Sequence, residues 1–231
     1  MPRMFGTDGV RGLANRDLTA QLALDLGDAA VRVLGDDERS EFESRRRALV
    51  GRDTRVSGDF LAAALSAGMS AGGFDVIDAG IIPTPGVAYL TSVLNVEMGA
   101  VISASHNPMP DNGIKFFDAQ GFKLPDAVED EIEAFIVNGG LEGEAAAAEE
   151  AAWSAAQAAA PDAPADATSY LASEIKMPAG AEVGVVIPLE NACDIYIDHA
   201  ARSIEEQGIS FKGLRIALDT GHGASCLLYT S

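Results

Sequence analysis

VISASHNPMPDNGIKFF, residues 101–117, is the stretch on which the reading of this chain turns. Val101, Ile102 and Ala104 suit a core strand, and Ile114, Phe116 and Phe117 suit a second one. Between them lie two prolines, two asparagines and a glycine, residues that favour turns for defined backbone reasons. The pattern is strand, polar loop, strand. It gathers Ser105, His106, Asn107 and Lys115 at a strand's end, where open α/β sheets place their ligands.

Working outward, the same alternation continues. Residues 19–35 carry apolar positions at helical spacing, with Asp17 or Thr19 as the N-cap. ALVGRD (48–53) reads as a strand, and 57–73 as a helix that Ser57 or Asp59 caps and a glycine pair ends. FDVIDAG (74–80) is a strand, 84–94 a helix with Pro85 in its first turn, and 125–138 a further helix. Alternating strands and helices predict an α/β fold: a three-layer α/β/α domain with a mostly parallel mixed sheet over 1–138.

The composition then shifts. Residues 139–169 are rich in alanine and acids, with Trp153 as their one large aromatic, and read as an insertion or linker. Residues 170–231 read as the start of a second, similar domain. They offer an amphipathic helix at 190–208 and a strand, GLRIALDTG (213–221), running into a glycine turn.

The 231 residues carry a net charge of −19, which argues against a nucleic-acid surface but not against a small anionic ligand held by local cations. No run approaches the roughly 18 apolar residues of a membrane helix, and the N-terminus has no apolar signal core. No nucleic-acid or membrane partner is expected, and the oligomeric state is left open. Cys193 and Cys226 match no metal or redox spacing and fit a reduced cytoplasmic compartment.

Several motifs suggest anion chemistry. FGTDGVRG (5–12) is a glycine-punctuated loop ending in Arg11, suited to backbone amides and a guanidinium around phosphate. VGRDTRVSG (50–58) sets Arg52, Asp53 and Arg55 just after a strand, where the arginines either bind phosphate or hold the loop through Asp53. Ser105 as a hydrolase nucleophile is disfavoured. Consecutive side chains of extended chain point apart, so His106 is badly placed as its base, and no G-x-S-x-G elbow is present. GHGAS (221–225) fails as a dinucleotide loop because its third glycine falls on Cys226. His106, His199 and His222 are too scattered for a metal site.

FGTDGVRG, GRDTRVSG, PTPGVAYLT and ISASHNPMPDNGIKFF, in this order, resemble the α-D-phosphohexomutase family, closely over 4–138 and more loosely over 177–225. The FGTDGVRG opening resembles most the bacterial members acting on glucosamine phosphate, with mannose or glucose phosphate as alternatives. The resemblance implies an enzyme that keeps a phosphate on Ser105 and lends it to a phosphosugar through a sugar bisphosphate intermediate. It implies that Arg11 contacts the phosphoserine, that Lys115 helps move the hydroxyl proton, and that His106 and Asn107 shape the loop. Thr7, Asp8, Arg52 and Arg55 would support it. It also implies Mg²⁺, bound here only through the phosphate on Ser105, because the family's D-x-D-x-D-R ligands have no match in this sequence. The 139–169 insertion and the CLLYTS end depart from the family pattern. The expected chain is a truncated mutase that does not turn over by itself, with a non-catalytic phosphate-binding fragment as the alternative.

Overall fold

The computed structural model describes residues 3–35, 45–140, 143, 178–221 and 223–227. Most of the 139–169 insertion, Trp153, His222 and the last four residues lie outside these. The elements run β1 (Val10–Leu13), α1 (Ala20–Leu34), β2 (Arg47–Arg52), α2 (Gly58–Ala71), β3 (Asp75–Ile81) and α3 (Thr84–Val93). They continue with β4 (Met98–Ile102), β5 (Asp111–Asp118), α4 (Asp126–Val137), β6 (Val186–Pro188) and α5 (Ala192–Glu205).

The six strands form one sheet in the order β1-β5-β4-β2-β3-β6. β4, β2, β3 and β6 run parallel to one another, and β5 is antiparallel to both β4 and β1. Alternation along β2 explains the layering. Ala48 and Val50 face a core shared with Leu26 and Ala30 of α1, Leu61 and Leu65 of α2 and Ile132 of α4. Leu49 faces the other side, with Val87 and Leu90 of α3 and Ala192 of α5. Both faces are thus covered, which is why β2 and β4 read as nearly continuous apolar runs.

Local chemistry sets the helix starts. Thr19 caps α1, its hydroxyl accepting from the Leu22 amide at 3.1 Å. Pro85 sits in the first turn of α3, where its missing N–H is harmless. Ser57 precedes α2 but does not cap it by its side chain; its hydroxyl accepts from Asn112 Nδ2 at 2.9 Å, tying α2 to β5.

Three features differ from the sequence reading. FGTDGVRG contributes a strand, β1, as well as a loop. Val186–Pro188 forms a short edge strand on β3, and α5 docks on α3 by stacking His199 on Tyr89 at 3.7 Å; both come from the stretch expected to open a second domain. The strand expected at 213–221 joins no ladder among the described residues. Its alternating Leu214, Ile216 and Leu218 are 64%, 69% and 69% exposed. Alternation makes a sheet face, but only a neighbouring strand satisfies the backbone.

Candidate active site

The site begins where β4 ends. Ser103 keeps the ladder by donating its amide to Gly113 at 2.9 Å, and the chain then turns sharply, the Asn107 amide bonding Ala104 at 3.1 Å. Ser105 sits in the left-handed region at φ +56°, unusual for a residue with a side chain. Here the expectation of an extended chain fails. The left-handed turn brings Ser105 Oγ to 3.3 Å from His106 Nδ1, so the two side chains meet instead of pointing apart. Ser105 and His106 are both exposed.

Arg55 holds this loop from behind. Its Nη2 donates to the carbonyls of Ser105 (2.9 Å) and Asn107 (2.8 Å), and its Nη1 to those of Pro108 (2.6 Å) and Asp111 (3.0 Å). Its Nε donates to Asp53 Oδ2 at 3.0 Å. A guanidinium has five N–H groups, and all five are used. Of the two readings left open for Arg55, the geometry selects the loop clamp, because no donor remains for phosphate. Asn107 closes the loop on itself, Nδ2 donating to Asp111 Oδ2 at 3.2 Å.

Arg52 is not brought to this loop. It leaves the other side of the strand end, where Nε bonds Asp59 Oδ1 at 2.9 Å beside the start of α2. The two arginines of GRDTR, three residues apart, therefore serve opposite sides of the sheet edge.

The cations come from β1 and β5. Arg11 lies opposite Gly113 in the ladder, and Lys115 lies opposite Val101, so both occupy the face of the sheet that Ser103 continues. Gly113 leaves the space between: a Cβ there would meet Arg11 Cγ at 2.8 Å and the Ser103 carbonyl at 2.9 Å. Asp8 Oδ2 is 3.4 Å from Arg11 Nη2, and its Oδ1 is 3.9 Å from Lys115 Nζ. Thr7 and Asp8 form the exposed tip of a turn closed by two backbone bonds between Gly6 and Gly9, at 3.0 and 3.2 Å. Two cations against one solvated carboxylate leave a local positive surplus in a chain that is strongly acidic overall.

Ser105 and His106 line two adjoining open clefts of about 480 and 520 Å³. Asp53, Thr54 and Met109 contribute one wall, and Thr84, Thr220 and Gly221 help form the other. The part of the second wall that Thr220 and Gly221 supply has no signal in GHGAS that would place it here. Among the described residues no group of three or more His, Cys, Asp or Glu side chains is arranged to hold a metal ion. The one carboxylate among the residues lining these clefts, that of Asp53, is already engaged by Arg55 and Ser103. These residues do not by themselves fit a Mg²⁺ site. No helix among them is long and apolar enough to cross a membrane.

Comparison with known proteins agrees with this picture. Residues 2–142 match the family described as phosphoglucomutase/phosphomannomutase, alpha/beta/alpha domain I. Phosphoglucosamine mutase of Bifidobacterium adolescentis is 64% identical over 99% of this chain and 44% of its own length. That of Corynebacterium diphtheriae is 69% identical over 58% of this chain and 30% of its own. The chain thus spans less than half the length of the curated relatives it matches. A phosphoglucomutase/phosphomannomutase family protein from Burkholderia thailandensis shares the fold, with TM-score 0.57 at 24% identity over 85% of this chain and 34% of that one. A Thermus thermophilus structure aligns at TM-score 0.60 and 26% identity over 90% of this chain and 37% of its own. With residues 2–142 matched to that α/β/α domain and the serine loop at the end of β4 within them, the chain belongs to the phosphoglucomutase/phosphomannomutase family.

Proposed function

We propose that this chain carries the phosphoserine domain of a phosphoglucosamine mutase, with Ser105 as the phosphate carrier. The observation that carries this reading is Ser105 itself, held left-handed at an exposed strand end beside His106, with Arg11 and Lys115 on the adjoining sheet face. Relatives bearing that activity at high identity support glucosamine as the sugar, with mannose or glucose phosphate as the alternatives.

In the proposed cycle the Ser105 phosphate is transferred to the C1 hydroxyl of glucosamine 6-phosphate. The Oγ–P bond breaks, a P–O bond to the sugar forms, and Lys115 relays the proton, giving one to the departing serine Oγ and taking the one the sugar hydroxyl releases. The product is the 1,6-bisphosphate. After it turns over, its 6-phosphate returns to Ser105 Oγ, the serine proton passes to the sugar oxygen, and glucosamine 1-phosphate departs. The covalent carrier replaces one difficult transfer by two in-line ones. Arg11 offsets charge on the phosphoryl oxygens, and His106 and Asn107 shape the loop. Mg²⁺ finds no ligand set among the described residues; on the family resemblance the phosphate on Ser105 would be its one ligand from this chain. The two free cysteines suit a cytoplasmic enzyme.

Peptide mass spectrometry on protein expressed from the complete reading frame, paired with an assay of glucosamine 1-phosphate formation, tests the reading. Phosphate on Ser105 and loss of turnover in Ser105→Ala are expected. Phosphate on Ser103 in place of Ser105 would sink it. So would labelling of Ser105 by a fluorophosphonate without any phosphate acceptance, which would mark an acyl nucleophile.

A further inference from the structure

Behind the serine loop lies a relay of hydrogen bonds that the proposed cycle does not use. Ser103 Oγ accepts from the Ser105 amide at 3.0 Å and donates to Asp53 Oδ2 at 2.7 Å. The direction is fixed, because an ionised carboxylate only accepts. Asp53 is itself immobilised. Its amide donates to the Ile102 carbonyl at 3.0 Å, its Oδ1 accepts from the Arg55 amide at 3.0 Å, and its Oδ2 accepts from Arg55 Nε. Its side chain is only 12% exposed.

We propose that Ser103 and Asp53 are positioning residues for phosphoryl transfer, holding Ser105 in its left-handed conformation so that Oγ faces the cleft. This inference rests on the reading of Ser105 as the phosphate carrier. Both polar groups of the Ser105 backbone are held: the amide by Ser103 Oγ, the carbonyl by Arg55 Nη2. Fixing the peptide planes on both sides fixes φ and ψ, which an unsupported serine would relax toward negative φ. The Asp53 charge polarises the Ser103 hydroxyl and strengthens its acceptance from the Ser105 amide. Only a hydroxyl serves both ends of this relay. A backbone held in this way presents Oγ to its phosphate without reorganisation in each half of the cycle, which is where orientation accelerates transfer.

Ser103→Thr, Ser103→Val and Asp53→Asn, in protein expressed from the complete reading frame, separate positioning from packing, since threonine and valine differ only by the hydroxyl. Three quantities are read: kcat and KM with glucosamine 6-phosphate, phosphate acceptance by Ser105, and single-residue amide exchange at Ser105. Ser103→Thr is expected within about twofold of wild type. Ser103→Val is expected to lose about tenfold in kcat with KM unchanged, the effect of one misplaced hydrogen bond, with faster exchange at the Ser105 amide. Asp53→Asn should fall between them. Wild-type kcat and exchange in Ser103→Val overturn the proposal, as does an equal loss in the threonine and valine variants. Wild-type turnover by Ser105→Ala is a distinct result: it removes the carrier reading, and this inference with it.

Discussion

Gly9 presses its Cα against the carbonyl of Ile114, so closely that an added Cβ would collide with that oxygen. Gly9 also has φ +84°, in the region that side chains disfavour. Contact and conformation together seat the Gly6–Gly9 turn on β5, which fixes where Arg11 emerges. Gly9→Ala is expected to destabilise by about 3 kcal/mol, combining backbone strain with a clash that only β5 could relieve. Gly6→Ala, whose Cβ would find its nearest neighbour at 3.6 Å, should cost less than about 1 kcal/mol. Urea unfolding of the pair checks this, and equal losses would show that the turn is not seated as described.

Arg55 and Asp53 form a nearly buried pair, 10% and 12% exposed, whose guanidinium spends every donor on the loop and on Asp53. Lysine offers three donors on a flexible stem and cannot reproduce that fork. Arg55→Lys is therefore expected to cost about 2–3 kcal/mol, and Arg55→Ala about 3–5 kcal/mol because Asp53 is then left unpaired. Denaturant midpoints measure both. A lysine variant within about 0.5 kcal/mol of wild type would rule out the clamp.

The strand–loop–strand at 101–117 was legible because its signals are local: apolar runs of strand length broken by Pro, Asn and Gly. The α-helices were legible for a similar reason, since burial of Ala23, Leu26 and Ala30 repeats at helical spacing. β1 was not, because four residues among glycines become a strand only through pairing with β5. β6 is shorter still, exposed, and ends in proline. Residues 213–221 erred the other way, with a clear alternation and no partner strand among the described residues. Within the candidate site, sequence offers Ser105, His106, Arg11 and Lys115 as candidates. The left-handed backbone of Ser105 could not be read there, because serine has no intrinsic preference for it and the tertiary relay imposes it. Nor could sequence divide the labour between Arg52 and Arg55, which depends on which side of the strand end each leaves.

Lys123 ties the start of α4 to a buried carboxylate. Its Nζ donates to Glu129 Oε2 at 2.8 Å and to Asp126 Oδ1 at 3.0 Å, and Glu129 is wholly buried. Burial opposes the charge on Lys123, but the hydrogen bonds to Glu129 and Asp126 and the attraction of their charges together outweigh it and raise its pKa above the ordinary 10.5. A raised folded-state pKa means that the stabilisation is complete below 10.5 and disappears as pH rises through the raised value. Asp126 is shifted down, first by its hydrogen bond from Lys123, so its own share disappears only in acid. Lys123→Met should cost about 2 kcal/mol at neutral pH. The gap from wild type should stay level from about pH 7 to 9 and narrow at the alkaline end. Unfolding free energies from neutral pH to above 10.5 test the sign, and a gap that widens with alkali would contradict it.

Lys115 offers the sharpest test of the proposed chemistry, because charge and proton transfer make different demands on it. Its ammonium lies 3.9 Å from Asp8 Oδ1 and over the Phe117 ring, 5.8 Å from its centroid. Lys115→Met keeps an unbranched stem on that ring, so the melting temperature should change by no more than about 2–4 °C, the shift that goes with roughly 1 kcal/mol. Turnover of glucosamine 6-phosphate by protein from the complete reading frame should fall by about 100-fold or more, the lower end of general acid–base contributions. Lys115→Arg then divides the two roles. Arginine restores the positive charge beside the phosphate but does not give up its proton at ordinary pH. If Lys115 supplied only charge, the arginine variant would recover most of the lost rate. As a proton shuttle between the sugar hydroxyl and Ser105 Oγ, it should remain within about tenfold of the methionine variant. Recovery to near wild-type turnover in Lys115→Arg would remove Lys115 from the proton path and leave it, with Arg11, as part of the phosphate's electrostatic cradle.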